Sequence, residues 1–302
     1  MAWGQITYQD STRKESVLDL LTDVSSNDNP LATLLGTTRA GNTLHEFPED
    51  YQARPTAVRA QPEGREYTFS DLTAPSRRVN FTQIIDATFR VSNTQRAIDH
   101  YGVSDPFEYQ ASKALFDLKN NLEYALVRGS GASGSSGVAR QMIGIEAVTT
   151  SHYTARNSGT SLSEGEFNDA LNDVWTDVGS QHTPDAVLAP MGLRRAISRF
   201  TGENTRYVDF NGKLDRVVDQ YTSDTGVVNI FAHKDVSSSN ATPGPALLGI
   251  KLDYWKIAYL REPERVELAK VGSDTRGAWE LEASLEYRGE RTSFRRTGYL
   301  TS

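Results

Sequence analysis

The side chains able to do chemistry are few and scattered. The chain has no Cys, which removes disulfides, iron–sulfur clusters, thiolate zinc sites and thiol nucleophiles together. Its five histidines, at 45, 100, 152, 182 and 233, lack metal-ligand spacing. Carboxylates cluster at Glu46, Glu49 and Asp50, and again at Glu262, Glu264 and Glu267. Such sets can serve acid–base catalysis or hold a hard cation. Nothing in the sequence ties them to a pocket, so solvated surface or subunit salt bridges are the expected use. Gly129, Gly131 and Gly134 match G-x-G-x-x-G, which cradles a pyrophosphate only where a strand leads in and a helix leads out. Here the motif follows a long helical pattern and opens none, so residues 129–137 (GSGASGSSG) read as a flexible loop. No Walker A lysine pattern, H-E-x-x-H or G-x-S-x-G elbow is present. The dipeptides Arg77-Arg78, Arg194-Arg195 and Arg295-Arg296 have the chemistry to hold phosphate. Arg far outnumbers Lys, and its planar fork suits carboxylate pairing at interfaces. With so many Asp and Glu, this fits a protein that binds copies of itself. No catalytic, cofactor-binding or metal-binding residue is assigned, and no cofactor is expected.

Composition agrees. The 302 residues are 37% hydrophobic and 24% charged, enough for one large domain or two modest ones. A net charge of −7 is wrong for a chain whose main task is to coat nucleic acid, which needs a basic footprint. The start MAWGQITYQD lacks a basic segment followed by an apolar one. No apolar run reaches the roughly 18–20 residues that span a bilayer. The expectation is a soluble protein with no membrane partner, made in a cytoplasm and kept there or packaged.

The elements follow from periodicity. Residues 1–13 read as an extended arm. Lys14 to Val24 reads as a short amphipathic helix carrying Val17, Leu18, Leu20 and Leu21, stopped by the breaker cluster SSNDNP. Leu31, Leu34 and Leu35 add a further turn or two before Gly36. Residues 41–78 are polar and carry Pro48, Pro55, Pro62 and Pro75; such a stretch cannot bury a core by itself. It leads into one long alternating strand from Val79 to Val91, with Ile84 out of phase, which suggests an extended two-stranded arm. The strongest helix starts at Asp105, with Pro106 at its first position and Glu108 completing a capping box, and ends at Gly129. It spans about six turns, roughly 35 Å. A second helix, Glu164 to Val178, is capped by Ser163 and Glu166, with Phe167, Ala170, Leu171, Val174, Trp175 and Val178 on one face. A short strand at Ala186–Leu188 precedes a third helix, Pro190 to Phe200. Strand patterns follow within 205–235 (including Val227–Phe231), and at Ala246–Ile250, Trp255–Leu260, Val266–Ala269 and Trp279–Tyr287, with 236–245 a loop. In the last strand Glu280, Glu282, Ser284 and Glu286 form the polar face. Helices and strands interleave only partly, which favours α+β.

This order of elements resembles the major capsid, or major head, proteins of tailed bacteriophages with the Hong Kong 97 (HK97)-like fold. The resemblance rests on phrases in order from about residue 28 to 285. Asp28-Asn29-Pro30-Leu31 with Gly36 is similar to the family's arm. His45-Glu46-Phe47 with Asp50 resembles its H-E-aromatic-x-x-D phrase, and Glu63-Gly64 its E-G turn. Asn80-Phe81-Thr82-Gln83-Ile84 resembles N-Y-T-Q-I, and Val91-Ser92-Asn93-Thr94-Gln95 resembles V-S-x-T-Q. Leu118-Lys119 with Leu122-Glu123 matches L-K-x-x-x-E on the spine helix, and Ala139-Arg140 with Gly144-Ile145 matches the phrase after it. Ala258-Tyr259-Leu260-Arg261 and Leu268-Ala269-Lys270-Val271-Gly272 resemble A-Y-L-R and L-A-K-T-G.

The resemblance implies an N-terminal arm (1–40), an extended loop lying over a neighbouring subunit (41–91), a peripheral domain with the spine helix (92–145), an axial domain (146–245) and peripheral return strands (246–302). It implies a structural protein, not an enzyme, that self-assembles into hexamers and pentamers forming the icosahedral head of a tailed phage. That head encloses double-stranded DNA without sequence-specific binding, and interior acidity would keep the DNA from sticking. Separate scaffolding, portal and decoration proteins are the implied partners. The virion, with the host cytoplasm during assembly, is the implied location. Some relatives weld subunits through a Lys–Asn bond from the extended loop; no Lys occurs between Lys14 and Lys113, so that bond is not expected here. The alternatives are an encapsulin-like nanocompartment shell and, from another class, a soluble nucleotide-binding enzyme.

Overall fold

A computed structural model describes residues 28–300 except 53, 56, 68, 70–73, 101, 201–219 and 237–244. The helix expected at Lys14–Val24 lies outside the described residues, as does most of the loop at 236–245. In chain order the elements are α1 (Pro30–Leu34), β1 (Gly36–Arg39), β2 (Leu44–Glu49), β3 (Ser76–Phe81), β4 (Gln83–Ser92), α2 (Asn93–Ala97) and α3 (Pro106–Arg128). Then come β5 (Ser130–Ala132), β6 (Gln141–Ile143), α4 (Ile145–Val148), β7 (Tyr153–Thr160), α5 (Glu164–Val178), β8 (Ala186–Ala189) and α6 (Met191–Phe200). The rest are β9 (Gln220–Ser223), β10 (Gly226–Ala232), β11 (Ala246–Ile250), β12 (Trp255–Leu268), β13 (Asp274–Tyr287) and β14 (Phe294–Tyr299).

Two sheets carry two cores. A four-stranded sheet runs β1-β12-β13-β4, and a six-stranded mixed sheet runs β7-β14-β11-β8-β10-β9. Helix α3 lays its apolar stripe, Phe107, Ala111, Leu118, Leu122 and Leu126, against Ile85, Phe89, Leu281 and Leu285 of the first sheet, with Trp255 fully buried beside them. Helices α5 and α6 bury Phe167, Leu171, Val174, Leu193 and Ile197 against Val187, Leu247, Phe294 and Tyr299 of the second. Segments early and late in the chain meet in both. Strand β4 pairs with β13 across ten positions, and β14 lies between β7 and β11.

The strongest helices form where their caps place them. Asp105 accepts a hydrogen bond from the Phe107 amide at 2.8 Å, and Pro106 opens α3. Gly129 ends it with its amide on the Ala125 carbonyl. A Cβ at Gly129 would sit 2.3 Å from the Met142 carbonyl oxygen, so the turn after the helix requires glycine there. At α5 both halves of the capping box, Ser163 and Glu166, are made.

Six expectations are corrected. The box at α3 is not made, because Glu108 is held instead by Arg265 at 2.9 and 3.0 Å. Trp175 is 46% exposed rather than on the core face of α5. The long strand 79–91 breaks at Thr82, where the chain stops pairing with β2 and starts pairing with β13. The two runs at 255–260 and 266–269 are one strand, β12, carried through the polar stretch between them by two register shifts against β13. Residues 129–137 are not loop throughout: Ser130–Ala132 is β5 and pairs with β6, with Gly131 at positive φ inside the strand and Gly134 and Gly137 at positive φ in the connection that follows. Finally, the polar face of β13 is not solvated. Glu282, Ser284 and Glu286 are 4%, 0% and 1% exposed.

Candidate assembly interface

The buried carboxylates of β13 mark where an extended hairpin is rooted in the body. Strands β2 and β3 pair antiparallel from Leu44↔Phe81 to Glu49↔Ser76. The short β5–β6 hairpin and the end of β13 adjoin this root. Asn80 is fully buried and uses every polar atom. Its amide nitrogen donates to the carbonyls of Leu285 (2.7 Å) and Ile143 (3.1 Å), and its oxygen accepts from the amides of Phe81 and Ile143, both at 2.8 Å. Thr82 donates to Glu282 at 2.7 Å, and Gln83 accepts from the Met142 amide at 3.2 Å. The phrase Asn80-Phe81-Thr82-Gln83 is therefore a hinge block: it alternates like a strand, yet its polar members point inward and are satisfied there.

Glu282 also meets Arg140 at 2.7 Å and Arg261 at 3.3 Å. Glu286 meets His45 at 2.8 Å and is paired with Arg288. Phe47 packs edge-on against Tyr287, ring centroids 4.9 Å apart, and burial raises the Tyr287 hydroxyl pKa above its ordinary value. Buried ionised groups are tolerated only when paired and hydrogen-bonded, and here the pairs clamp β2 and β6 onto β13. Just past the root, Tyr51 donates to Asp177 at 2.6 Å while the Arg291 guanidinium stacks 4.0 Å from its ring centroid. The hydrogen bond to Asp177 raises the Tyr51 pKa. A cleft of about 660 Å³ opens between this latch, the end of α5 and the Tyr254–Arg288 region, with Trp175 on its rim.

Between the Tyr51 latch and Ser76 the loop carries exposed apolar side chains. Val58, Tyr67 and Phe69 are 94%, 91% and 93% exposed. Among the described residues these apolar groups are left uncovered, and such a surface is the kind another chain covers.

The residues singled out in the sequence are mostly spent on internal ion pairs. Arg77 and Arg78 pair with Glu46 (3.1 Å) and Glu49 (2.5 Å) across the hairpin. Arg295 meets Glu146 at 3.7 Å, and Arg296 binds Asp173 and Thr154. Arg77-Arg78 thus pairs with Glu46 and Glu49 of the acidic cluster, and Arg295-Arg296 with Glu146 and Asp173, so these groups serve internal ion pairs; Glu262, Glu264 and Glu267 lie exposed on β12. Among the described residues no group of three His, Asp or Glu side chains could hold a metal ion, and no helix is long and apolar enough to cross a membrane.

A second junction escaped the sequence reading. Glu123, fully buried on α3, accepts from the amides of Leu31 (2.7 Å) and Ala32 (2.9 Å) and from His233 Nε2 (2.8 Å). The Asp235 amide donates to His233 Nδ1 at 3.1 Å, which fixes the tautomer with its proton on Nε2. One carboxylate thus joins the arm, the spine helix and the end of β10. The signal was a glutamate beside the apolar stripe of α3.

A long spine helix on a sheet, an extended hairpin rooted in it and a mixed second sheet define the HK97-like class of shell-forming proteins. The capsid of a native GTA particle matches with a TM-score of 0.68 at 7% identity, covering 97% of each chain. The SrpI encapsulin of Synechococcus elongatus PCC 7942 matches with a TM-score of 0.61 at 12% identity, over 100% of this chain and 98% of that one. The SU10 major capsid protein family matches residues 4–299, and the chain belongs to that family. Over 124 residues, 41% of this chain, it is 25% identical to the major capsid protein of Escherichia phage Phieco32, spanning 35% of that relative's length. The family is one of capsid structural proteins of the virion, not of enzymes, which removes the nucleotide-binding alternative.

Proposed function

We propose that many copies of this chain form hexamers and pentamers that close into the icosahedral head of a tailed phage around double-stranded DNA. The carrying observation is the rooted but uncovered hairpin loop with Val58, Tyr67 and Phe69 in solvent. A loop clamped at its base and apolar beyond it has a partner in the next subunit. Residues 1–40 act as the arm, 41–91 as the overlapping loop, and 92–145 carry the spine. Residues 146–245 pack around the capsomer axis, with β11 and β14 from the return segment 246–302 completing their sheet and β12 and β13 completing the peripheral one. Cohesion is noncovalent, since the loop has no Lys to weld. Scaffolding, portal and decoration proteins are separate chains, and assembly takes place in the host cytoplasm. The chain's net charge of −7 supports an inner face to which packaged DNA does not adhere.

Sedimentation velocity across concentration and salt, followed by negative-stain imaging of the heaviest species, tests this reading. Rings, tubes or shells built of hexameric units are expected. A concentration-independent monomer or dimer, with and without co-expressed scaffolding protein, would overturn it. The encapsulin likeness supports a second reading, a compartment shell. Particles from infected cells that hold protein cargo rather than nuclease-protected DNA would favour that one.

A further inference from the structure

The third basic dipeptide, Arg194-Arg195, lies on α6, whose sequence MGLRRAISRF holds three arginines and no acid. The helix buries Leu193 and Ile197 in the second core. It leaves Met191, Arg195 and Arg199 exposed, a stripe at four-residue spacing along one side. Helix α5 packs in the same core and is its opposite in charge: EGEFNDALNDVWTDV holds five acids and no base. Its exposed side carries Asp169, Asn172, Trp175 and Thr176. Four of the five acids are engaged within the subunit. Glu164 accepts from Tyr221, Glu166 pairs with Arg156, Asp173 with Arg296, and Asp177 with Tyr51 and Arg291. Asp169 on α5 and Arg195 on α6 make no ion pair among the described residues. Beside these charges two large apolar side chains are left uncovered, Trp175 at 46% and Met191 at 61% exposure.

We propose that α6 of one copy docks on α5 of a neighbouring copy, with Arg195 meeting Asp169 and with Met191 and Trp175 covered by the contact. The two helices give every copy one basic and one acidic patch. Patches of opposite sign steer copies together and fix their register. An exposed Trp and Met beside matched charge supply the apolar centre that such a contact needs, since both residue types are favoured in interface cores. The two patches differ, so the contact is head-to-tail, and a head-to-tail contact that closes makes a ring. A single surface ion pair contributes little, but a ring repeats it at every interface. The inference rests on the shell reading, for which it names the contact between neighbours around the capsomer axis.

Charge reversal in the full-length chain, read by sedimentation velocity at low salt, is the test. Arg195→Glu and Asp169→Arg, each alone, should lower the yield of hexamer-based species at least about fivefold, because like charges then face each other at every interface. The two reversals in one chain should bring the yield back to within about twofold of the parent, as coupled partners do. Unchanged yield in both single variants overturns the proposal and leaves the shell reading standing. Loss in the single variants without recovery in the double does the same. A parent that forms no such species, with or without scaffolding protein, overturns both. Should a reversed chain fail to fold, the absence of Cys from the parent allows a cross-link instead. An Arg195→Cys chain mixed with a longer, tagged Asp169→Cys chain under assembly conditions should give, with a short bis-maleimide, a product of the summed mass. Products joining only like chains, or none, would overturn the proposal. So would a DNA duplex bound by the parent and released by Arg195→Glu with assembly unchanged, which would assign α6 to nucleic acid.

Discussion

Asn80 shows how much a single side chain carries when it is buried and fully bonded. Its replacement by Ala strands the amide and carbonyl of Ile143 and the carbonyl of Leu285. Unpaired buried groups of this kind cost about 1–3 kcal/mol each, partly recovered by relaxation. Asn80→Ala is therefore expected to lower the unfolding free energy of the unassembled subunit by about 3 kcal/mol, read by urea denaturation. Glu108 is the contrasting case, an exposed carboxylate whose pKa is lowered by its hydrogen bonds from Arg265. A depressed carboxyl stabilises above its unfolded pKa, and the benefit fades as pH falls through the folded value. Glu108→Gln should lower the melting temperature slightly at neutral pH, and the difference from the parent should vanish in acid. Persistence of the difference below the carboxylate range would show that the pair acts through packing rather than charge.

Among the elements, α3 and its terminator are the most rigidly specified. A Cβ at Gly129 would meet the carbonyl oxygens of Met142 at 2.3 Å and Ala125 at 2.7 Å, both main-chain atoms that cannot swing away. Gly129→Ala should cost about 2 kcal/mol or more, whereas Gly165→Ala, where a Cβ meets nothing, should be neutral or mildly stabilising; paired denaturation curves decide it. These helices were legible because caps and apolar spacing act locally. The hidden parts depended on partners far along the chain. Glu108 fits a capping box in sequence, but Arg265 takes it. Glu282 and Glu286 alternate as a solvent face does, yet the hairpin root buries them with His45, Thr82 and Arg140. The break at Thr82 has no breaker residue to announce it; it comes from a change of pairing partner. The glycines at 131, 134 and 137 signalled freedom, and the fold used that freedom to close a tight hairpin. Of the interface, the polar extended loop was legible from its missing core, while the latch of Tyr51 on Asp177 joins residues with no local relation.

At the scale of the whole molecule, folding and assembly use different surfaces. Tyr67→Ser with Phe69→Ser should leave the unassembled subunit within about 0.5 kcal/mol of its parent, because both side chains are already in solvent. The same pair should strongly reduce the yield of hexamer-based particles measured by light scattering. Equal particle yield would remove the loop from the interface. A different consequence lies in the order of strands. In both sheets an interior position belongs to the last part of the chain: β13 sits between β12 and β4, and β14 between β7 and β11. The first core cannot close on a nascent chain until β13, ending at Tyr287, clears the ribosome, nor the second be completed until β14, ending at Tyr299, does, and closure must then wait for contacts of high sequence separation, which form slowly. Protease resistance of stalled nascent chains should accordingly rise only at the longest lengths. Translation itself thus acts as a quality gate: an interrupted subunit lacks an interior strand of each sheet and cannot present a finished surface to its neighbours.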